Sequence, residues 1–131
     1  MTWLVALQVY RVLGSAFLIG WVYGAVPGIF ALPAGIGDVI TGLFAVPVAI
    51  ALASGTKEAR RAAIAWNIFG LADFVIALSI GLAITYHLIE TGFASATGGA
   101  YPTVMIPAFA VPSSILLHAL SLRQLRRRSQ S

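Results

Sequence analysis

The chain has 131 residues, 60% of them hydrophobic and 9% charged, with a formal net charge of +4 and no cysteine. A soluble globule of this size needs roughly a quarter of its residues charged, so the composition points to a single domain whose solvent is lipid. The lack of cysteine excludes disulfides, iron–sulfur clusters, thiolate metal sites and cysteine nucleophiles, and whether the basic excess implies nucleic acid depends on where Lys and Arg fall along the chain.

Four apolar runs follow one another, at 3–24, 33–54, 61–88 and 104–122. Each is close to or above the ~20 residues that a helix needs to cross a ~30 Å hydrocarbon layer. The expected fold class is therefore all-α, an integral membrane four-helix bundle forming one transmembrane domain over 1–131. The first run lacks a basic flank, carries Arg11 inside it and runs into Pro27 and Gly28 without a cleavage pattern, so it reads as a retained span rather than a secretion signal. It also contains Gly20 and Gly24, a GxxxG spacing that marks a candidate dimer face. The separators carry turn chemistry: "AVPGIFALP", then "ASGTKEARR", then "ETGFASATGGAYPT", the last reading as a mobile outer loop.

Lys57, Arg60 and Arg61 lie in the second connection, and Arg123, Arg126, Arg127 and Arg128 lie in a basic tail, 123–131; the first and third connections hold none. Lys and Arg stay on the cytoplasmic side during insertion, which places both termini and the middle connection inside. The tail then reads as a topology signal, and no nucleic-acid partner is expected. Trp3 and Trp66 near the inner ends, and Trp21, Tyr23, Tyr86 and Tyr101 near the outer ends, suit interfacial belts. His87 and Glu90, near the outer end of the third span, read as solvated interfacial residues.

Within the spans stand residues that lipid does not tolerate: Gln8, Arg11, Asp38, Asn67, Asp73 and His118. Such groups face a bundle interior or a wet cavity. Taken at 100° per residue, each span has one small or polar seam. In the first span Gln8, Arg11, Ser15, Leu18 and Val22 share a face. In the second, Gly35, Asp38, Thr41, Gly42, Ala45, Ala49 and Ala53 do so; in the third, Asn67, Gly70, Asp73, Ala77 and Gly81; in the fourth, Pro107, Ala110, Ser114, His118 and Ser121. At ~1.5 Å per residue from the inner ends, Gln8, Asn67 and His118 fall about 8 to 10 Å deep, Arg11 about 12 Å, Asp73 about 18 Å and Asp38 about 22 Å, a ladder of polar groups. Arg11 is expected to pair with Asp73, leaving Asp38 and His118 to exchange protons or meet a cation. Pro47, Pro107 and Pro112 interrupt their spans, each freeing a backbone carbonyl for a ligand or producing a bend.

The strings "GIGDVITGL" from Gly35 and "GLADFVIAL" from Gly70 echo each other in antiparallel spans, a pattern in keeping with the inverted repeats of transporters. His87 and His118 fall at opposite depths, so a single chain cannot clamp one haem iron between them; a haem on His118 alone or on His118 of two chains stays open, as does a divalent metal on Asp38, Asp73 and His118. No HExxH, nucleophile elbow, phosphate loop or dinucleotide fingerprint occurs, so an enzymatic role is neither indicated nor excluded.

"QVYRVLG" from Gln8, "LPAGIGDVITG" from Leu32, "AWNIFGLADFVIAL" from Ala65 and "IPAFAVPSSILLHALSLRQL" from Ile106 are similar to a group of small bacterial inner-membrane proteins described as hypothetical. The resemblance covers all four spans and implies a bacterial inner-membrane, multi-pass protein; it implies no activity. The expectation is a transport or ligand-binding protein taking a small solute or cation at a proton-exchanging polar cluster formed by Gln8, Arg11, Asp38, Asn67, Asp73 and His118. Homo-oligomerisation is expected because four short helices enclose little volume. A haem- or metal-binding redox protein centred on His118 is the first alternative, and a structural or assembly subunit of a membrane complex the second.

Overall fold

The computed structural model describes residues 2–93 and 104–127, and over these the chain is helical with no strand. Four helices are long and apolar enough to cross a membrane: α1, Thr2–Val22; α2, Gly28–Ala53; α3, Lys57–Thr85; and α4, Ile106–Arg127. They form an up-and-down bundle in which α2 is central, packing on both α1 and α3, while α4 rests on α3 and on the start of α1. The end holding both termini and the 54–56 connection is here the proximal end; the other, with the 23–27 connection, is the distal end.

The helix limits differ from the apolar runs for local chemical reasons. The helix α2 starts five residues before the expected 33, because Pro27, with extended backbone at φ −65° and ψ 133°, is its N-cap and Gly28 opens the helix. Pro33 instead lies inside the helix. At α3, Thr56 is the N-cap, its hydroxyl oxygen accepting from the Ala59 amide at 3.2 Å, so "KEARR" is the first helical turn rather than a connection. The helix α4 continues past 122 to Arg127: Leu125 is fully buried and its carbonyl accepts from Arg60 Nε at 3.0 Å. Most of the outer loop, 94–103 with Tyr101, lies outside the described residues, as do Arg128 and the rest of the tail.

Two helices depart from α geometry. In α1 the stretch Leu7–Gly14 is a 3-10 helix, with three residues per turn, and it aligns Val5, Gln8, Arg11, Gly14 and Phe17 as one buried row. The face expected from an α-helical period was wrong beyond Arg11: Ser15 and Leu18 are half-buried and Val22 is exposed. At the start of α4, Pro107 and Pro112 stand five apart and cannot donate, and Ile106–Ala110 forms a wider π turn closed by the Val111 amide on the Ile106 carbonyl. That turn has no buried residue.

The interior is layered. A proximal apolar cluster joins Val5, Ala45, Ala49, Leu52, Ala63, Trp66 and Leu125. A distal one joins Phe17, Val26, Phe30, Ala31, Ala34 and Ile84. Between them lies a polar layer. Elsewhere Leu, Ile, Val and Phe side chains are exposed around the bundle. Trp3, Trp21, Tyr23 and Tyr86 lie exposed near the helix ends, but Trp66 does not belong with them: it is buried, and its indole Nε1 donates to the Thr41 carbonyl at 3.0 Å. The GxxxG spacing does not lie along one helix, because Gly24 is in the turn after α1 at φ 69° and Gly20 backs onto Val26.

Candidate functional site

Arg11 is the hub of the polar layer. The 3-10 segment aims its side chain between α2, α3 and α4, where Nε donates to Asp38 Oδ1 at 2.6 Å and Nη2 to Asp73 Oδ2 at 2.5 Å. Its Nη1 donates to the Gly70 carbonyl at 3.2 Å and lies 3.2 Å from His118 Nε2. The guanidinium also covers the face of Phe74, 3.9 Å from the ring centre. A planar fork with donors on three nitrogens suits this junction, where a lysine would serve fewer partners.

The sequence expectation paired Arg11 with Asp73 alone and left Asp38 and His118 without partners. The structure pairs Arg11 with both carboxylates and with His118. Depth explains the difference: a 3-10 turn rises about 2.0 Å per residue rather than 1.5 Å, so Leu7–Gly14 lifts Arg11 toward Asp38. The long side chain spans what remains.

His118 is fully buried, against the rings of Trp66 and Phe74 at 5.0 and 6.3 Å. Its Nδ1 lies 2.9 Å from Asn67 Oδ1. Asn67 spends its amide nitrogen on the Ala63 carbonyl at 2.7 Å and on Ser121 Oγ at 3.1 Å, so its oxygen is free to accept from Nδ1–H. His118 Nε2, facing a guanidinium that can only donate, is the acceptor, and the ring is the neutral Nδ1–H tautomer. The network thus steps from the carboxylates through Arg11, His118 and Asn67 to Ser121 in the proximal direction.

Gln8 joins a neighbouring set. Its Nε2 donates to the Ser114 carbonyl at 3.0 Å, and Ser114 Oγ donates to its Oε1 at 3.0 Å. Tyr10 donates to the Ala110 carbonyl at 3.0 Å and touches the Ser114 hydroxyl. These bonds tie α1 to α4. All six expected residues are therefore buried in one layer, five in the Arg11 network and Gln8 beside it; His87 and Glu90 lie exposed at the distal end.

Glycine makes the close approach possible. A Cβ at Gly14 or at Gly37 would strike the carboxyl of Asp38 or of Asp73, and one at Gly70 would meet His118 Nε2 at 2.5 Å and Arg11 Nη1 at 2.9 Å. Gly14 and Gly37 were missed from sequence. Gly14 stands three residues after Arg11, which is a sign only once the 3-10 period is known.

One guanidinium faces two carboxyl groups, so one negative charge is uncompensated when both are ionised. No buried side-chain nitrogen or oxygen among the described residues lacks a hydrogen-bond partner, yet Asp38 Oδ2 and Asp73 Oδ1 accept from none of the described groups. The carboxyl groups of Asp38 and Asp73 line a cavity of about 200 Å³. Phe17, Phe30, Ala34, Phe74 and Leu82 are among its walls, and Asp38 and Asp73 are the charged residues lining it. It extends along α3 to Thr85, at the distal end. A second cavity of about 100 Å³ reaches Asp38 and Arg11 from the side of α1, past Tyr10 and Ser114. Ile106, Val111 and Phe74 border both cavities, so the start of α4 stands between them.

The metal and haem alternatives fit this geometry poorly. Arg11 occupies the space on which Asp38, Asp73 and His118 would have to converge, and no group of three or more His, Asp or Glu among the described residues is placed to hold a metal ion. Both nitrogens of His118 are engaged, with no edge turned to a space for haem.

A family model described as a domain of unknown function (DUF8737) matches residues 1–126. No curated protein and no solved structure matches the chain.

Proposed function

The chain belongs to the DUF8737 family, a domain of unknown function, and from that premise we propose that it is a multi-pass protein of the bacterial inner membrane that binds or transports a small solute or cation with exchange of a proton at the Arg11–Asp38–Asp73 cluster. The observation that carries this reading is that two carboxyl groups sharing one guanidinium line a cavity, in a cluster with one surplus negative charge when both are ionised. In a low-dielectric interior such a charge is costly unless a proton or a bound cation neutralises it. The two ways of neutralising it are alternatives at one place, which is what coupling requires.

Membrane insertion is supported by the four apolar helices and by the exposed aliphatic surface, which in water would far exceed the patches that soluble monomers display. The positions of Lys and Arg support cytoplasmic termini, and the resemblance to small bacterial membrane proteins supports the inner membrane. Homo-oligomerisation stays within this reading, although a single chain already borders a cavity.

A second reading, a structural or assembly subunit, is favoured by one observation: the buried polar groups satisfy one another as a packing core requires. Reconstitution separates the two. Protein in liposomes carrying a pH-sensitive dye is given a pH gradient and a panel of amines, amino acids, sugars and monovalent metal ions, offered singly. Solute-dependent proton movement, lost in Asp73→Asn and Asp38→Asn and kept in Glu90→Gln, is the expected result. Folded protein that moves protons no faster than empty liposomes with every member of the panel would remove transport, and no binding of any member in titration calorimetry would then leave the assembly reading.

A further inference from the structure

Resting on the proposed binding function, we infer that the ligand of the larger cavity is a monovalent organic cation with an apolar body, an ammonium group carrying aromatic or aliphatic substituents, entering from the distal side. The cavity wall and its floor differ in chemistry, and both parts are needed to specify the ligand.

The floor specifies charge. Asp38 and Asp73 line the cavity, and Asp38 Oδ1 and Asp73 Oδ2 hold Arg11. One surplus negative charge calls for one positive charge, so an anion or a dication leaves the layer charged. The wall specifies the rest. Phe17 and Phe30 meet edge to face at 5.1 Å, and Phe74 shares one ring face with Arg11. Ala34, Leu78, Leu82 and Ile106 complete a surface with few groups able to replace the water of a sodium or potassium ion. An inorganic ion would have to give up its hydration for two carboxylate oxygens and hydrocarbon. An organic ammonium is poorly hydrated, places its charge at the floor and buries its substituents against aromatic rings.

The direction of entry follows from the layering. On the proximal side Val5, Trp66 and Leu125 belong to a closed apolar cluster. On the distal side the cavity runs to Thr85, and the π turn Ile106–Ala110 at its edge has no buried residue to hold it. A volume of about 200 Å³ is far more than one water requires and suits a molecule near the size of a substituted benzene.

The test uses the purified full chain in detergent with three soluble probes that share a benzyl group: benzyltrimethylammonium, benzyl alcohol and phenylacetate, with sodium chloride as the inorganic comparison. Binding is read by titration calorimetry in weak buffer, with proton release followed in the same titration. Benzyltrimethylammonium is expected to bind saturably and about tenfold or more tighter than the other three, a gap of about 1.4 kcal/mol or more. Asp73→Asn, shown to be folded by circular dichroism and gel filtration, is expected to remove that preference, and Asp38→Asn makes the same test if Asp73→Asn does not fold. Equal binding of benzyl alcohol and the cation, preference for sodium, or no binding of the cation overturns the inference. Cation binding without proton release keeps the ligand class and removes proton exchange from the proposed function. Proton movement in liposomes with some other solute, together with no cation binding, keeps the proposed function and removes the ligand class.

Discussion

Arg11 and Asp73, 62 residues apart, meet at 2.5 Å between Nη2 and Oδ2, and the same guanidinium holds Asp38 through Nε, so one side chain of α1 locks α2 to α3. Removing either end of a buried ion pair leaves a charge without compensation, and that costs more than the pair itself contributes. Arg11→Ala strands two carboxylates.

The first prediction follows. Arg11→Ala is expected to lower stability by about 3–5 kcal/mol, read as loss of helical signal during denaturation in mixed micelles. The triple variant Arg11→Met, Asp38→Asn, Asp73→Asn removes every charge of the cluster and is expected to recover most of that loss. A triple variant as unstable as Arg11→Ala would assign the cost to lost packing and not to charge.

The second concerns His118. With Nδ1 given to Asn67 and Nε2 taking Arg11, the ring has no nitrogen left for iron. The purified protein is expected to show no Soret band, and added haem no saturable spectral change. His118→Ala strands the Asn67 amide oxygen and is expected to cost about 1–3 kcal/mol for that orphaned acceptor alone. A Soret band that disappears in His118→Ala would overturn this account of the ring.

Much of this layer was legible in sequence because polar residues in apolar helices are conspicuous. Arg11, Asp38, Asn67, Asp73 and His118 stand out by type alone, and α2 keeps its seam from Gly35 to Ala49 because it is a regular helix with a constant period. What sequence could not supply was the local change of pitch in α1. Nothing in "LQVYRVLG" announces a 3-10 helix, and with the α period the row Gln8, Arg11, Gly14, Phe17 was drawn through Ser15 and Val22. The same error set Arg11 too far from Asp38. Trp66 was misread for another reason: indole is common at lipid interfaces, and only the tertiary fold reveals that the Thr41 carbonyl awaits its N–H.

The third prediction tests topology and is simplified by the absence of native cysteine. Glu90 lies past the distal end of α3, and Ser54 in the exposed turn between α2 and α3. In intact bacterial cells, a membrane-impermeant maleimide is expected to label Glu90→Cys, and Ser54→Cys only after permeabilisation. The reverse pattern would place the termini outside and turn the larger cavity toward the cytoplasm.

The fourth separates helix propensity from packing by its sign. Exchanging glycine for alanine inside a helix ordinarily stabilises by about 0.5–1 kcal/mol, because alanine loses less backbone freedom on folding. At Gly37 the added Cβ would occupy the place of the Asp73 carboxyl, and at Gly70 that of His118 Nε2, groups fixed by the Arg11 network and unable to swing aside. Gly37→Ala and Gly70→Ala are therefore expected to destabilise by about 1–3 kcal/mol, the cost of overpacking a filled interior. Gly28 provides the contrast: its Cβ would meet Trp21 Nε1 at 2.6 Å, but Trp21 is 44% exposed at the helix end and has room to rotate. Gly28→Ala should then be tolerated, with a change within about 1 kcal/mol of wild type in the same denaturation assay. Stabilisation by all three substitutions would mean that the polar layer yields, and that Arg11, Asp38 and Asp73 are held less closely than their distances imply.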